Sequence, residues 1–130
     1  MRKWLILSTV VLVLIGIITT VGMIFFNQVN AELSKLDDIP LTEIDLSSID
    51  DGTYIGEYNT SVIKVKVSVT VINHEITMIE LLKHDNGQGG DAVNILDDVI
   101  ENQSIMVDSI AGATYSSKVI LLAIQDALSE

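Results

Sequence analysis

The stretch of the chain best suited to chemistry runs from Asp108 to Thr114 and reads Asp-Ser-Ile-Ala-Gly-Ala-Thr. Gly112 and Ala113 are small enough for a bulky group to approach the backbone, and the Thr114 hydroxyl follows them directly. A helix is predicted from about Ser116, and the N–H groups and the dipole at its N-terminus favour a bound phosphate. Because Gly-Ala-Thr is a common triplet, an ordinary loop before a helix explains these residues equally well.

Other kinds of reactive site are poorly supported by the residue types present. The chain has no cysteine, which excludes disulfides, iron–sulfur clusters and thiol nucleophiles. His74 falls in a predicted hairpin turn and is expected to be exposed, whereas His84 ends a predicted strand and is interpreted as a surface or half-buried hydrogen-bonding residue. Ser116 and Ser117 have no evident histidine–aspartate pair, so hydrolase chemistry is not predicted. No metal site is predicted either, because no second histidine or cysteine accompanies His84.

A glycine-rich loop is predicted from His84 to Gly90, and it suggests two binding functions that its residues do not support. A calcium loop of the EF-hand type that begins at Asp85 requires a glutamate at its twelfth position, where this chain has Leu96. The glycines also lack the spacing of a dinucleotide-binding turn, and no Gly-Lys-Ser/Thr sequence is present. Calcium and nucleotide cradles are therefore not predicted.

Positive and negative charges are separated along the chain. Arg2 and Lys3 precede the uncharged segment from Trp4 to Phe26, and all 18 acidic residues follow it. The part after this segment has five lysines against those 18 acidic residues, a net charge of −13. Such an acidic surface repels nucleic acid and anionic lipid, so no nucleic-acid partner is expected, and we interpret the acidity as a contribution to solubility.

The uncharged segment is predicted to be a transmembrane helix. As a helix its 23 residues span about 34 Å, which exceeds a hydrocarbon core of roughly 30 Å. Arg2 and Lys3 predict a cytoplasmic N-terminus and an extracytoplasmic remainder, as in a single-pass protein of the cell membrane. A signal peptide cleaved at Val29-Asn30-Ala31 is the alternative, but the apolar run is longer than the roughly 7–15 residues typical of that class.

The chain is therefore predicted to contain an N-terminal transmembrane anchor at 1–26, an extracytoplasmic stalk at 27–50 and one domain at 51–130. Leu46 and Ile49 of the stalk are expected to tuck against that domain. The domain is predicted to be α+β, a small antiparallel sheet with two packed helices, preceded by the one N-terminal transmembrane helix. Its predicted elements are a strand at 53–58, a strand with alternating valines at 65–71, a turn at 73–75, a strand at 76–83 with Ile79 and Leu81 on one face, and helices at 91–102 and 116–128.

Two stretches of this domain carry a resemblance to one known family. One is Asp51–Glu57, which reads Asp-Gly-Thr-Tyr-Ile-Gly-Glu, and the other is Val107–Lys118, which contains the stretch from Asp108 to Thr114. The first resembles the DGTYxGE opening of FMN-binding domains. The second resembles the flavinylation motif in the small subunits of sodium-pumping NADH:quinone reductase and Rnf complexes, and in stand-alone extracytoplasmic electron-transfer flavoproteins. The chain has Ala111 where that family usually has Ser or Thr, and Asp85-Asn86-Gly87 where it often has Glu-Thr-Pro.

The resemblance implies that the cofactor is FMN and that it is attached to Thr114. In the family the last threonine of the DxxxGAT pattern carries FMN through a phosphodiester, which a magnesium-dependent FAD:protein FMN transferase forms. Asp108 is the acidic lead residue of the pattern, and Gly112 and Ala113 leave space for the transferase and for the ribityl chain. The cofactor-binding residues that the resemblance implies are Thr114, Ala113, Gly112, Asp108, Tyr115 and Ser116.

The expected function is that of a membrane-anchored extracytoplasmic flavoprotein that relays electrons. Its partners are then the membrane, the transferase, a membrane electron donor and an extracytoplasmic acceptor. Such a protein is a carrier rather than an enzyme with its own substrate, because the cofactor supplies the chemistry. The alternatives are a subunit or reversible FMN-binding module of a membrane redox complex, and a non-redox exported binding domain.

Overall fold

The computed structural model describes residues 1–85 and 90–129 of the chain. The chain divides into two compact units, Met1–Glu32 and Leu33–Glu130. The loop predicted between His84 and Gly90 falls mainly on 86–89, which lie outside the described residues.

The first unit consists of most of helix α1, which spans Arg2–Lys35 and is long and apolar enough to cross a membrane. Each of the four hydroxyls in its apolar stretch donates to a carbonyl three or four residues earlier, as Thr9 does to Leu5 at 2.6 Å and Thr20 to Gly16 at 2.7 Å. Lipid offers no hydrogen-bond partners, so these bonds within the helix suit a membrane span.

The second unit is built on a three-stranded antiparallel sheet in the order β1-β2-β3. The strands are β1 Gly52–Asn59, β2 Lys64–Ile72 and β3 Glu75–Asp85. The four alternating valines of the central strand β2 are fully buried, and the residues between them are exposed or half-buried. The period-two prediction is therefore confirmed, because one face of β2 is covered by the core.

The hairpin between β2 and β3 turns at Asn73 and His74. Their φ angles are 53° and 64°, the left-handed values that a two-residue type I′ turn requires and that asparagine and histidine tolerate better than most residues. The Asn73 N–H donates to the Asp51 carboxylate at 2.7 Å, which ties the hairpin to the start of β1. The predicted turn is confirmed, although Glu75 already belongs to β3.

Strand β3 contains two irregularities that keep Ile76, Ile79 and Leu81 on one face. Its pairing with β2 shifts by one residue at two places, so Thr77 and Leu82 have no direct partner. Each extra residue of this kind reverses which alternate side chains face the core. The β3 residues opposite the four buried valines of β2 are Ile76, Ile79, Leu81 and His84.

Two α-helices follow, and both begin at different residues from those predicted. Helix α2 spans Ile95–Asn102, so the prediction of an α-helix from residue 91 is wrong in its first turn, because Gly90–Asn94 form a tighter 3₁₀ turn of the kind common at helix starts. Helix α3 spans Thr114–Leu128. It begins two residues before the predicted start because the Ala113 carbonyl already accepts the Ser117 N–H at 2.9 Å.

Helix α3 lies directly on β1 at Gly56. A Cβ atom added to Gly56 is placed 2.1 Å from the Ala123 carbonyl oxygen and 2.4 Å from the Ala127 nitrogen, so the two backbones are in contact. Near this contact the Asp126 carboxylate accepts the Glu57 N–H of β1 at 3.0 Å. The helix is covered on most of its surface, and its buried residues are Ser116, Ser117, Val119, Ile120, Leu121, Leu122, Ala123, Ile124, Ala127 and Leu128.

The residues from Leu33 to Asp50, which we call the connector, pack with this second unit. Leu36 is 2% exposed and Ile49 is 8% exposed, and Leu46 is half-buried against the same core. The expected packing of Leu46 and Ile49 is confirmed. The His74 ring is exposed, as predicted, and its Nδ1 lies 3.1 Å from the carbonyl oxygens of both Leu46 and Ile49, so the hairpin holds the connector.

The contact at Gly56 predicts a large effect of one methyl group. We expect Gly56→Ala to lower the free energy of unfolding by about 1–3 kcal/mol or more, because the added Cβ must displace helix backbone. Chemical denaturation in detergent measures the change. Gly52→Ala in the same strand is the control, since its Cβ meets atoms at 3.7 Å, an ordinary contact distance. Equal stability of the two variants would contradict the close approach of α3.

The packing of the connector predicts a second difference in stability. We expect Leu36→Ala to lower the free energy of unfolding by about 2–5 kcal/mol, because the leucine side chain is buried in the core. Leu82→Ala removes the same atoms from a side chain that is 47% exposed, and it is expected to change stability far less. If both variants unfold at the wild-type denaturant concentration, the connector is not part of the folded unit.

Candidate functional site

The residues that precede α3 form a tight turn from Ile110 to Ala113. The Ala113 N–H donates to the Ile110 carbonyl at 2.9 Å. Gly112, the third residue of the turn, has a φ of +79°, a value that glycine adopts without steric cost and that type II turns require there. The glycine in the motif is therefore needed for the shape of the backbone.

The hydroxyl of Ser117 fastens this turn to the helix. Ser117 is fully buried, and its Oγ accepts the Ile110 N–H at 3.0 Å and donates to the Ala113 carbonyl at 2.7 Å. Sequence reasoning considered Ser117 as a nucleophile and missed this role. The signal for it is the spacing, because Ser117 lies four residues after the helix-capping position at Ala113 and a hydroxyl there reaches back one turn.

Thr114 is the first residue of α3, and it is exposed. Among the three aliphatic hydroxyls of residues 114–117, those of Ser116 and Ser117 are buried, so Thr114 alone presents one to solvent. Ala113 occupies the capping position and has no side-chain acceptor for the first N–H groups of the helix. A negative charge near these groups is favoured by about 0.3–1 kcal/mol.

The structure brings some of the predicted cofactor-binding residues together and separates others. Gly112 and Ala113 lie in the turn and Thr114 follows it directly, whereas Tyr115 is half-buried against the core and Ser116 is 2% exposed. Asp108 is exposed and lines a shallow groove of about 360 Å³, together with four residues that do not include Thr114.

The amide side chain of Gln103 fixes the start of the segment that leads to this turn. Its Oε1 accepts the Ile76 N–H at 2.7 Å, and its Nε2 donates to the Ile76 carbonyl at 2.9 Å and the Ile100 carbonyl at 2.7 Å. Gln103 itself ends α2 in a left-handed conformation, with φ 51°, where glycine is the usual residue. The end of α2 is thereby attached to β3.

His84 lies half-buried on the covered face of the sheet, directly opposite Val65. Burial of the imidazole lowers the pKa of His84 below its usual value of 6.5, and the neighbouring Asp85 carboxylate partly opposes this shift. The ring is therefore expected to be neutral at pH 7.

A comparison with protein families identifies the domain. A family model for the FMN-binding domain matches residues 61–129. The chain belongs to the FMN-binding domain family. Its cofactor is accordingly FMN. The matched residues of this FMN-binding domain run from just before β2 through α3 and contain the turn and Thr114, whereas the stretch Asp51–Glu57 lies outside them. Comparisons with curated proteins and with solved structures gave no match.

The residues of the turn fit the phosphate end of FMN. Apart from Gly112 itself and its two neighbours in the chain, no heavy atom of the described residues lies within 4 Å of a Cβ placed on Gly112, so the backbone there is open to a large group. The exposed Thr114 hydroxyl and the first N–H groups of α3 lie at the same end of the helix. Together they are suited to hold a phosphate close to the backbone.

The lowered pKa of His84 predicts how stability depends on pH. Because the unfolded chain binds a proton at a higher pH than the folded chain, the free energy of unfolding should fall as the pH drops below about 6.5. We expect His84→Gln to reduce this fall between about pH 7 and pH 5. Chemical denaturation at each pH measures the free energy of unfolding, and NMR titration of the imidazole ring measures the pKa of His84 directly. A His84 pKa at or above 6.5 would contradict the burial.

Proposed function

We propose that this FMN-binding domain carries FMN covalently on Thr114 and that the chain is a membrane-anchored extracytoplasmic electron carrier. The observation that supports the attachment site is the difference in exposure between neighbouring hydroxyls. Thr114 is exposed at the first position of α3, whereas Ser116 and Ser117 are buried. A transferase that acts on the first turn of α3 from outside meets Thr114 as the exposed residue with an aliphatic hydroxyl in that turn.

The proposed modification balances as a phosphoryl transfer from FAD. A bond forms between Thr114 Oγ and the phosphorus of the FMN half, and the pyrophosphate bond of FAD breaks, so that AMP leaves. The hydroxyl proton passes to a base of the magnesium-dependent FMN transferase. The resulting phosphodiester keeps one negative charge at the N-terminus of α3, where the helix dipole stabilises it.

When bound, FMN supplies reversible electron transfer, and the protein positions it between partners. The proposed partners are an electron donor in the membrane and an acceptor outside it. Covalent attachment suits an exported carrier, because a dissociated flavin is lost from the cell surface.

The proposed location rests on α1 and on the distribution of charge. Helix α1 is long and apolar enough to cross a membrane, and the four hydroxyls of its apolar stretch are bonded within the helix. Arg2 and Lys3 precede the apolar stretch Trp4–Phe26 of α1, and the acidic residues follow that stretch. This asymmetry favours a cytoplasmic N-terminus and an extracytoplasmic domain in a single-pass protein.

Replacement of Thr114 tests the attachment. After expression with the transferase, we expect the wild-type chain to remain fluorescent in a denaturing gel and to gain the mass of one FMN. Thr114→Ala should lose both signals, because it has no oxygen to bond, and Thr114→Ser should retain them. Thr53→Ala, at an exposed threonine of β1, is the control and should behave as the wild type.

The same measurements separate the alternatives. A wild-type chain that is yellow when native but colourless in the denaturing gel binds FMN reversibly, and Thr114 is then not the attachment site. Purification together with further membrane subunits indicates a component of a larger redox complex. The intact mass also shows whether α1 is retained or removed near Ala31, because the two chains differ by the whole apolar segment.

A further inference from the structure

One buried side chain joins the two ends of the turn that precedes Thr114. Ser117 Oγ accepts the N–H of Ile110, the first residue of the turn, at 3.0 Å, and donates to the carbonyl of Ala113, the last, at 2.7 Å. Since Ser117 is fully buried in α3, its hydroxyl is a fixed point to which the turn is attached.

The middle of the turn has few other contacts that hold its conformation, whereas Ile110 and Ala113 at its two ends pack with the core. Ala111 and Gly112 are exposed, and within the described residues no atom beyond Gly112 and its two chain neighbours lies within 4 Å of the position of a Gly112 Cβ. Glycine also has the largest conformational freedom to lose on folding. Without the Ser117 hydroxyl, the Ala113 carbonyl keeps its bond from the Ser117 N–H, but the Ile110 N–H loses its acceptor. The beginning of the turn is then expected to sample several conformations.

We propose that Ser117 is a positioning residue for the transfer of FMN to Thr114, an inference that rests on the attachment proposed above. In that reaction Thr114 Oγ bonds to phosphorus, the pyrophosphate of FAD breaks, AMP leaves and the hydroxyl proton goes to the transferase. Thr114 follows the turn directly, so a turn held in one conformation presents Oγ in one orientation. A reacting group that is already oriented loses less entropy when the transferase binds it.

The test measures FMN incorporation into the full chain in detergent, with purified transferase, FAD and Mg²⁺. We expect Ser117→Ala to lower kcat/KM of the transferase for the chain about tenfold, the effect of losing one buried hydrogen bond. Ser117→Thr keeps the hydroxyl and should retain most of the rate. Val99→Ala, at a fully buried residue of α2, is the control for lost stability and should react as the wild type.

Amide hydrogen exchange gives a second measurement that needs no transferase. The Ile110 N–H should be protected in the wild type and in Ser117→Thr, and it should exchange much faster in Ser117→Ala. The exchange rate of the Ala113 N–H, which donates to the Ile110 carbonyl, shows whether the loss of the Ser117 hydroxyl also opens the hydrogen bond that closes the turn.

The outcomes distinguish this inference from the proposed function. Equal rates for the wild type and Ser117→Ala overturn the positioning role and leave the attachment to Thr114 intact. An equal loss of rate in Val99→Ala also overturns it, because the effect is then one of stability. A wild-type chain that receives no FMN on Thr114 overturns the proposed function, and the positioning role fails with it.

Discussion

The direct contact between Gly56 and the backbone of α3 is the constraint on which the rest of the domain depends. Any side chain at Gly56 must push the helix away from β1, since even a Cβ lies 2.1 Å from a backbone oxygen of α3. The helix covers the valine face of β2 and carries Thr114 at its first position. Gly56, which belongs to the Asp51–Glu57 stretch, therefore determines how closely α3 packs on β1, and α3 begins at the proposed attachment site. The two stretches, far apart in sequence, are parts of one packing arrangement.

Local patterns in the sequence predicted most of the elements of this arrangement. The alternating valines of β2 were predicted correctly because the period of a pattern directly reflects which face of the strand is buried. The turn at Asn73 was also predictable from its residue types. These features depend on residues close to one another in the chain, which is why they can be deduced without knowledge of the fold.

The features that the sequence did not predict depend on distant partners. The irregularities at Thr77 and Leu82 exist only relative to the pairing with β2. The energetic cost of the left-handed conformation of Gln103 is offset by hydrogen bonds from its side chain to Ile76 in β3. Likewise, Thr114 and Ser117 are both hydroxyl residues in one short run, and burial under the fold gives them different roles. The sequence alone indicated a phosphate site at the start of α3, but it did not indicate that the Ser117 hydroxyl holds the preceding turn.

The two edges of the sheet share a property that bears on how copies of this protein meet. On β1 the Asp126 carboxylate accepts a hydrogen bond from the Glu57 N–H. On β3 the Gln103 side-chain amide is hydrogen-bonded to both the N–H and the carbonyl of Ile76. Free backbone groups at a sheet edge invite a strand of another molecule to pair with them. For a chain held in a membrane, as proposed here, neighbouring copies are confined to a plane and collide often. Because Glu57 and Ile76 are already bonded in this way, a strand of a neighbouring copy is hindered from pairing with the sheet at these two residues.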